Sequence, residues 1–412
     1  MPRAPGRIDA DGRPETADGL VAALRAPHLE HDIAESLTHP FHSYPARLHP
    51  ATARILVDIV LAGALRTAPL VDPFCGSGTS LVEARAYGAK AIGLDLNPLA
   101  VLVARAKTWT VPSRRRKQLE DVGHKIAGAA ITAGKAARRS GAESAPMRKP
   151  VGFDPNARDR RLASWFAPHI RRELELIATF IDEVREDDVE LADILTACLS
   201  AILYKVSSRT SDTDKTWVAR NVPRGAPARN FLQRIDLLVA GLADLAHAPG
   251  TPPKIVEVDA RRLGTVVPDG TAGAVITSPP YAGTYDYAEH PRLRFDFLAL
   301  RHRELDAGEI GSRRSFEANF ATANMQWRSA LTDTIATIAR ALAPGAAAAI
   351  VIGDSIALNR AIYALDDIRD TLTDELVLEA WASQQRPMLG SERKSFGDRP
   401  KAEHIILLRK RA

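Results

Sequence analysis

Apolar residues recur at helical spacing in ATARILVDIVLAGAL (51–65), and the short run APLV (68–71) that follows reads as a strand. DPFCGSGT breaks that strand into a glycine turn. SLVEARAYGA (80–89) restores helical spacing and stops near Gly88, and KAIGLDLNP (90–98) is a second short strand ending at Asp95. Strand, helix and strand make one βαβ unit. From about 110 to 160 the pattern dissolves into a basic, partly irregular stretch. Amphipathic helical spacing then returns over about 163–205 and again over 228–248. Past the linker GTPPK (250–254), strand patterns resume in KIVEVDA (254–260), GAVITSPPY (273–281), AAAAIVIGDSI (346–356) and AEHIILLRK (402–410).

A strand–helix alternation is thus interrupted by about 140 mostly helical residues and then continues. The pattern predicts an α/β, doubly wound, Rossmann-like sheet with a mostly helical insertion. It divides the chain into a flexible N-terminal arm (1–38), a first half of the α/β domain (39–110), the insertion (111–253) and a second half (254–412). A length of 412 residues agrees, being long for a single ordinary core.

Charge and cysteine usage narrow the class. Lys and Arg number 55 against 50 Asp and Glu, a net +5, which permits a polyanionic partner without requiring one. Cys75 and Cys198, the two cysteines, exclude a disulfide framework and a cysteine-rich zinc site, and fit a cytoplasmic protein. His42, His49 and His290 show no metal-ligand spacing, so no metal is expected. No stretch approaches the roughly 20 apolar residues of a membrane span.

The turn VDPFCGSGT places Asp72 at a strand end and Gly76 and Gly78 where backbone must approach a ligand closely. Asp95 ends the next strand, where an acid can accept hydrogen bonds from ribose hydroxyls. A nicotinamide site is disfavoured, because the third fingerprint position falls on Leu81. A phosphate-cradling loop is excluded by the missing Gly-Lys-Ser/Thr. DPFCGSGT followed by GLDLNP closely resembles the methyl-donor site of amino-group DNA methyltransferases that use S-adenosylmethionine. The resemblance covers roughly 39–110 and 254–410. It implies that Asp72 and the turn Pro73, Phe74, Gly76, Ser77, Gly78 and Thr79 hold the methionine half of that cofactor. Asp95, with Asn97 beside it, would take the ribose, and Asp259 would lie near the adenine. The segment FHSYPARLHP (41–50) looks like the piece that packs beside the donor methionine in such enzymes.

Ser278-Pro279-Pro280-Tyr281 ends the strand GAVIT and carries the second half of the resemblance. An exocyclic base amine is a poor nucleophile, because its lone pair is delocalised into the ring. Acceptors aimed at its two N–H groups favour a pyramidal nitrogen. The Ser278 hydroxyl oxygen and the Pro279 carbonyl offer such acceptors, and proline fixes φ and so presets the carbonyl direction. Tyr281 offers a flat face on which a flipped-out base can stack. C5-cytosine methylation needs a cysteine nucleophile in a catalytic loop, and neither cysteine sits in one. Asp286, Tyr285 and Tyr287 are further candidates for the base pocket, though the same stretch reads equally as a helix start.

The insertion is expected to read the target. It carries Arg114, Arg115, Arg116, Lys117, Arg138, Arg139, Arg148 and Lys149, and a Ser/Thr/Asn-rich stretch with Trp217, a mixture that suits phosphate and base-edge contacts. A solvated loop in a helical domain would read the same way. A second basic set, Arg292, Arg294, Arg301, Arg303, Arg313 and Arg314, follows the Ser-Pro-Pro-Tyr motif. The expected partner is duplex DNA with one base flipped out, and any restriction activity would reside in a separate endonuclease. Motif order resembles the group in which adenine is the common target. Serine at the head of the motif leans toward N4 of cytosine, and is weighted more because it touches the amine. RNA base-amine methylation is the alternative.

Overall fold

The computed structural model describes residues 6–62, 67–139, 155–209, 218, 220–388 and 390–412. Arg148, Lys149, Trp217 and the side chain of Arg138 lie outside the described residues. Ten strands are described: β1 (Ile8–Gly12), β2 (Leu70–Asp72), β3 (Ala91–Asp95), β4 (Lys254–Glu257), β5 (Ala272–Thr277), β6 (Leu342–Gly353), β7 (Ser355–Ala357), β8 (Arg360–Ile362), β9 (Leu376–Gln385) and β10 (Ala402–Lys410). Eight form one sheet in the order β1-β9-β10-β6-β5-β2-β3-β4, while β7 and β8 pair as a separate hairpin. The five strands β4, β3, β2, β5 and β6 run parallel. The pair β9 and β10 turns antiparallel beyond them.

The parallel strands are short apolar runs because helices cover both of their faces. All six residues of β5 are buried. On one face pack the helices Pro14–Leu29, Pro50–Leu61, Thr79–Tyr87 and Pro98–Lys107, through Leu20, Leu24, Leu56, Leu81 and Val101. On the other pack Phe320–Ala341 and Ala364–Asp370, through Trp327, Leu331, Ile335 and Ile368. The chain runs from β2 outward to β3 and β4, then returns on the other side of β2 as β5. That reversal leaves a crevice at the carboxyl ends of β2 and β5, the position at which open α/β sheets take ligands.

Three sequence expectations change. The arm 1–38, expected to be flexible, supplies β1 and the helix Pro14–Leu29. β1 pairs with β9 through backbone groups alone and is mostly exposed on its sides, so it needs no apolar pattern. The stretch from 110 holds a long helix, Ser113–Arg139, whose charged face hides the stripe of Leu119, Ile126, Ala127 and Ala130. β9 was not foreseen, since Glu379, Ser383 and Gln384 interrupt its apolar pattern.

The inserted helices Ser113–Arg139, Pro155–Trp165, Pro168–Asp187, Val189–Ser200 and Ala226–Leu245 share a core that also takes in Phe41, Leu102, Leu293 and Phe297. Arg158 donates to the carbonyls of Asp296 (2.7 Å) and Phe297 (3.1 Å), and Arg161 grips both carboxylate oxygens of Asp296 (2.6 and 2.8 Å). Replacing Leu20 by Ala should lower the unfolding free energy by about 3 kcal/mol, as for a fully buried leucine. Urea denaturation measures this, and a change below about 1 kcal/mol would mean that the first helix is not part of the fold.

Candidate active site

Asp72 ends β2 with its carboxylate buried. One oxygen accepts from Phe74 N (3.1 Å) and Thr277 Oγ1 (2.8 Å), and the other from Ser80 Oγ. The glycine turn, the helix after it and the end of β5 are thereby joined at one group. Burial pushes this carboxyl up to about 6. Asp72 does not line the crevice; it shapes the turn from behind, as do the buried Ser77 and Thr79. Gly78 holds φ +80°, and a Cβ there would stand 3.0 Å from that of Ala104, so this position calls for glycine.

A cavity of about 440 Å³ opens in front of the turn. Pro73, Phe74, Gly76, Asp95, Asn97, Asp259, Ser278, Pro280 and Tyr281 all face it, so eight positions chosen from sequence and the motif tyrosine converge on one space. Asp95 accepts from Gly76 N and Asn97 N, both at 2.8 Å. Burial raises its carboxyl to about 6 against the pull of those N–H groups. Asn97 caps the helix Pro98–Lys107, accepting from Leu99 N (2.9 Å), and donates to the Tyr44 hydroxyl at 3.0 Å. That bond draws 41–50 over the cavity, where Tyr44, Arg47, Leu48 and His49 line it. Asp259 lines it too, close to Leu96 across Gly308, as do Leu305 and Ile310. Burial works to raise its carboxyl, and hydrogen bonds from Arg261 outweigh that and hold it below the usual range.

The Ser-Pro-Pro-Tyr loop is clamped at three points. Thr277 is tied to Asp72, Trp327 Nε1 donates to the Pro280 carbonyl (3.0 Å), and the Tyr281 hydroxyl donates to Glu403 Oε1 (3.1 Å). Glu403 is in turn ion-paired with Arg386. A Cβ on Gly353 would lie 2.8 Å from the Tyr281 ring, so glycine lets one ring edge rest on β6. Burial pushes the phenol up, with the Ser278 hydroxyl opposing. Tyr281, Tyr285, Arg386 and Glu403 also line a second cavity, of about 670 Å³, with Thr284, Asp354, Ser355 and Leu358. Tyr281 therefore stands between the two spaces.

Other candidates fall elsewhere. Asp286 is buried and receives Arg314 N at 3.0 Å, so it braces the helix Arg313–Ala318 and lines neither cavity. Tyr285 and Tyr287 do line the first. Arg294 is buried, donating to the Ser200 carbonyl (3.2 Å) and lying over the Tyr204 ring (4.7 Å), which removes it from any nucleic-acid surface. Arg115 is paired with Asp188 and Glu190, Lys117 with Glu120 and Asp121, and Arg314 with Glu309. Arg114, Arg139, Arg301 and Arg303 are exposed. Both cysteine thiols are buried and pushed up by desolvation, which makes them inert packing groups. His42 is buried against Ser200 Oγ (3.1 Å). Among the described residues no group of three His, Cys, Asp or Glu side chains could hold a metal ion. Sequence reasoning did not find Arg386, Glu403, Leu305 or Ile310, which reach the site from distant parts of the chain.

Residues 40–138 match the family described as RMKL-like, methyltransferase domain. Over 283 residues the chain is 29% identical to the Type II methyltransferase M.MvaI of Kocuria varians, covering 65% of this chain and 59% of that protein's length. Among solved structures it is similar to TrmN from Thermus thermophilus (12% identity, TM-score 0.35, covering 90% of this chain and 52% of that one). It is also similar to the rRNA methyltransferase aviRa from Streptomyces viridochromogenes (13% identity, TM-score 0.31, 92% of each). The sequence matches agree with the motifs in pointing to an S-adenosylmethionine-dependent methyltransferase. The cavity fits that donor: a carboxylate at the end of β3, no cation in the glycine turn, and apolar lining from Leu96, Leu305 and Ile310.

The ribose role expected of Asp95 calls for its ionised form, which accepts hydrogen bonds at both oxygens. Because its carboxyl is raised to about 6, S-adenosylmethionine affinity should hold above pH 7 and fall as pH drops through 6, by at most about tenfold per unit. Asp95→Asn should weaken binding by about 1–3 kcal/mol and flatten that dependence. Calorimetry from pH 5 to 8 tests this; an unchanged slope in the variant removes Asp95 from ribose binding.

Proposed function

We propose that the protein transfers a methyl group from S-adenosylmethionine to an exocyclic amine of a DNA base, with N4 of cytosine favoured over N6 of adenine. The observation that carries this reading is the position of Ser278 and Tyr281. They line the same cavity as Asp95 and Asp259, and Tyr281 also lines a second, polar cavity. The donor supplies an electrophilic methyl on a sulfonium. The chain supplies everything else. Asp95 and Asn97 hold the ribose end, and Leu96, Leu305 and Ile310 beside Asp259 flank the adenine end. The clamped loop presents Ser278 Oγ and the Pro279 carbonyl as acceptors for the amine N–H groups, which frees the nitrogen lone pair for attack on the methyl carbon. The sulfur–carbon bond would break as the nitrogen–carbon bond forms, releasing neutral S-adenosylhomocysteine, and one amine proton would pass along these hydrogen bonds to water. Tyr281 stacks on the flipped base. Direct transfer suits a chain in which Cys75, behind the glycine turn, and Cys198, in the core of the inserted helices, are both buried and inert.

DNA is favoured over RNA by the likeness to the Type II methyltransferase, and cytosine by the serine that heads the motif. The inserted helices serve target recognition in this reading, with the exposed Arg114, Arg139, Arg301 and Arg303 as phosphate contacts. A separate endonuclease would complete a restriction-modification pair.

Purified protein incubated with isotope-labelled S-adenosylmethionine and mixed-sequence duplex DNA should yield labelled N4-methylcytosine by nucleoside mass spectrometry. Labelled N6-methyladenine instead would correct the base alone. Label confined to a parallel tRNA incubation would replace DNA with RNA as the substrate. Tyr281→Ala should abolish most transfer while leaving donor affinity in calorimetry within about twofold, since the stacking contribution is to the base; loss of donor binding would refute the role given to Tyr281.

A further inference from the structure

β7 and β8 form a hairpin at the rim of the second cavity. Ala357 pairs with Arg360, so Leu358 and Asn359 are its two-residue turn. Both have positive φ, 46° and 60°. Two-residue turns of that kind favour Asn-Gly or Gly-Gly, because positive φ costs an L side chain such as leucine while Asn and Gly tolerate it. Leu358 is nonetheless there, and 54% of its surface is exposed. It is one of six exposed large apolar side chains among the described residues, and of those six it alone lines either cavity. A residue that is both conformationally strained and exposed at a site entrance is a mark of use rather than of folding.

The hairpin beneath it is rigid. Asp354 precedes β7, and its carboxylate accepts from Ala364 N and Ala402 N, both at 2.9 Å, closing the hairpin base onto β10. Ala357 and Ile362 are buried in the main core, and the Arg360 guanidinium lies over the Phe320 ring at 4.9 Å. The tip therefore lines the same cavity as Tyr281, with Ala357 packed against Gly283, two residues beyond that tyrosine. A base can reach Tyr281 only after leaving the stack, which opens a gap in the duplex. Apolar side chains inserted at base steps fill such gaps and stabilise the unstacked state.

We propose that Leu358 is a wedge that enters the duplex beside the target nucleotide and holds the gap open while the base lies against Tyr281. The proposal rests on the DNA base-amine reading above. It accounts for leucine at a turn position where Asn would fold more favourably.

The test compares wild type, Leu358→Asn and Leu358→Met on a duplex that the wild type methylates. The same duplex with an abasic site opposite the target base, which is already poorly stacked, serves as reference. Leu358→Asn should lower the single-turnover rate on the fully paired duplex by about tenfold or more, and by less than about twofold on the abasic duplex. Leu358→Met, which keeps apolar bulk, should retain most of the paired-duplex rate. Leu358→Asn should also raise the melting temperature, because the turn is relieved. Equal losses on both duplexes, or no loss on the paired one, would overturn the wedge while leaving the methyltransferase reading standing. Failure of the wild type to label any DNA would overturn that reading and the wedge with it.

Discussion

One buried carboxylate holds the switch point together. Asp72 lies where the sheet reverses its order, and its two oxygens bind the glycine turn, the helix that follows it and the last residue of β5. Burying an ionised carboxylate is expensive unless every lone pair finds a donor. Here three donors converge, and the carboxyl is still pushed up to about 6. The arrangement is tolerated because it fixes the distance between two loops that come from strands about two hundred residues apart in sequence. The donor-side turn and the Ser-Pro-Pro-Tyr loop are thus parts of one rigid body before any ligand arrives.

The rest of the site follows from that body. Asn97 caps a helix with one atom and recruits Tyr44 with another, so an upstream segment becomes a wall of the cavity. Trp327 and Glu403 fix the far end of the Ser-Pro-Pro-Tyr loop from the opposite face of the sheet and from β10. In the proposed reaction, preorganised acceptors contribute more than mobile ones, because nothing would have to reorient on binding an amine. The proline pair, the indole and the carboxylate all act toward that end.

Much of this was legible in the sequence where local chemistry is distinctive. An apolar run broken by glycines or prolines marks a buried strand that ends at the crevice, and Asp95 and Tyr281 were singled out that way, whereas Asp259 came from the resemblance of the donor-site motifs; all three line one cavity. What was not legible depends on contacts between distant segments. β1 carries no apolar signal because an edge strand is specified by backbone pairing. Arg386 and Glu403 look like ordinary surface charges until β9 and β10 bring them to Tyr281. Arg294 looked like a phosphate contact, yet it is consumed by a carbonyl and a tyrosine ring. Asp286 looked like a pocket residue and is a helix brace. A string of arginines states charge, and only the fold decides how much of it faces solvent.

The grip of Arg158 and Arg161 on Asp296 and its neighbours has a consequence for how such a chain can diversify. The inserted helices are not a detachable cassette. They share a core with Phe41, Leu102, Leu293 and Phe297, and they are riveted to the segment that leaves the catalytic loop. Transplanting the insertion between homologous scaffolds would cost Asp296 the Arg161 guanidinium that holds both its oxygens, leaving only the longer contact with Arg292 on its own helix, unless the receiving helix travelled with it. Divergence in this architecture is therefore channelled toward the exposed faces of the inserted helices, with their inner seam inherited as a unit with the loop it supports.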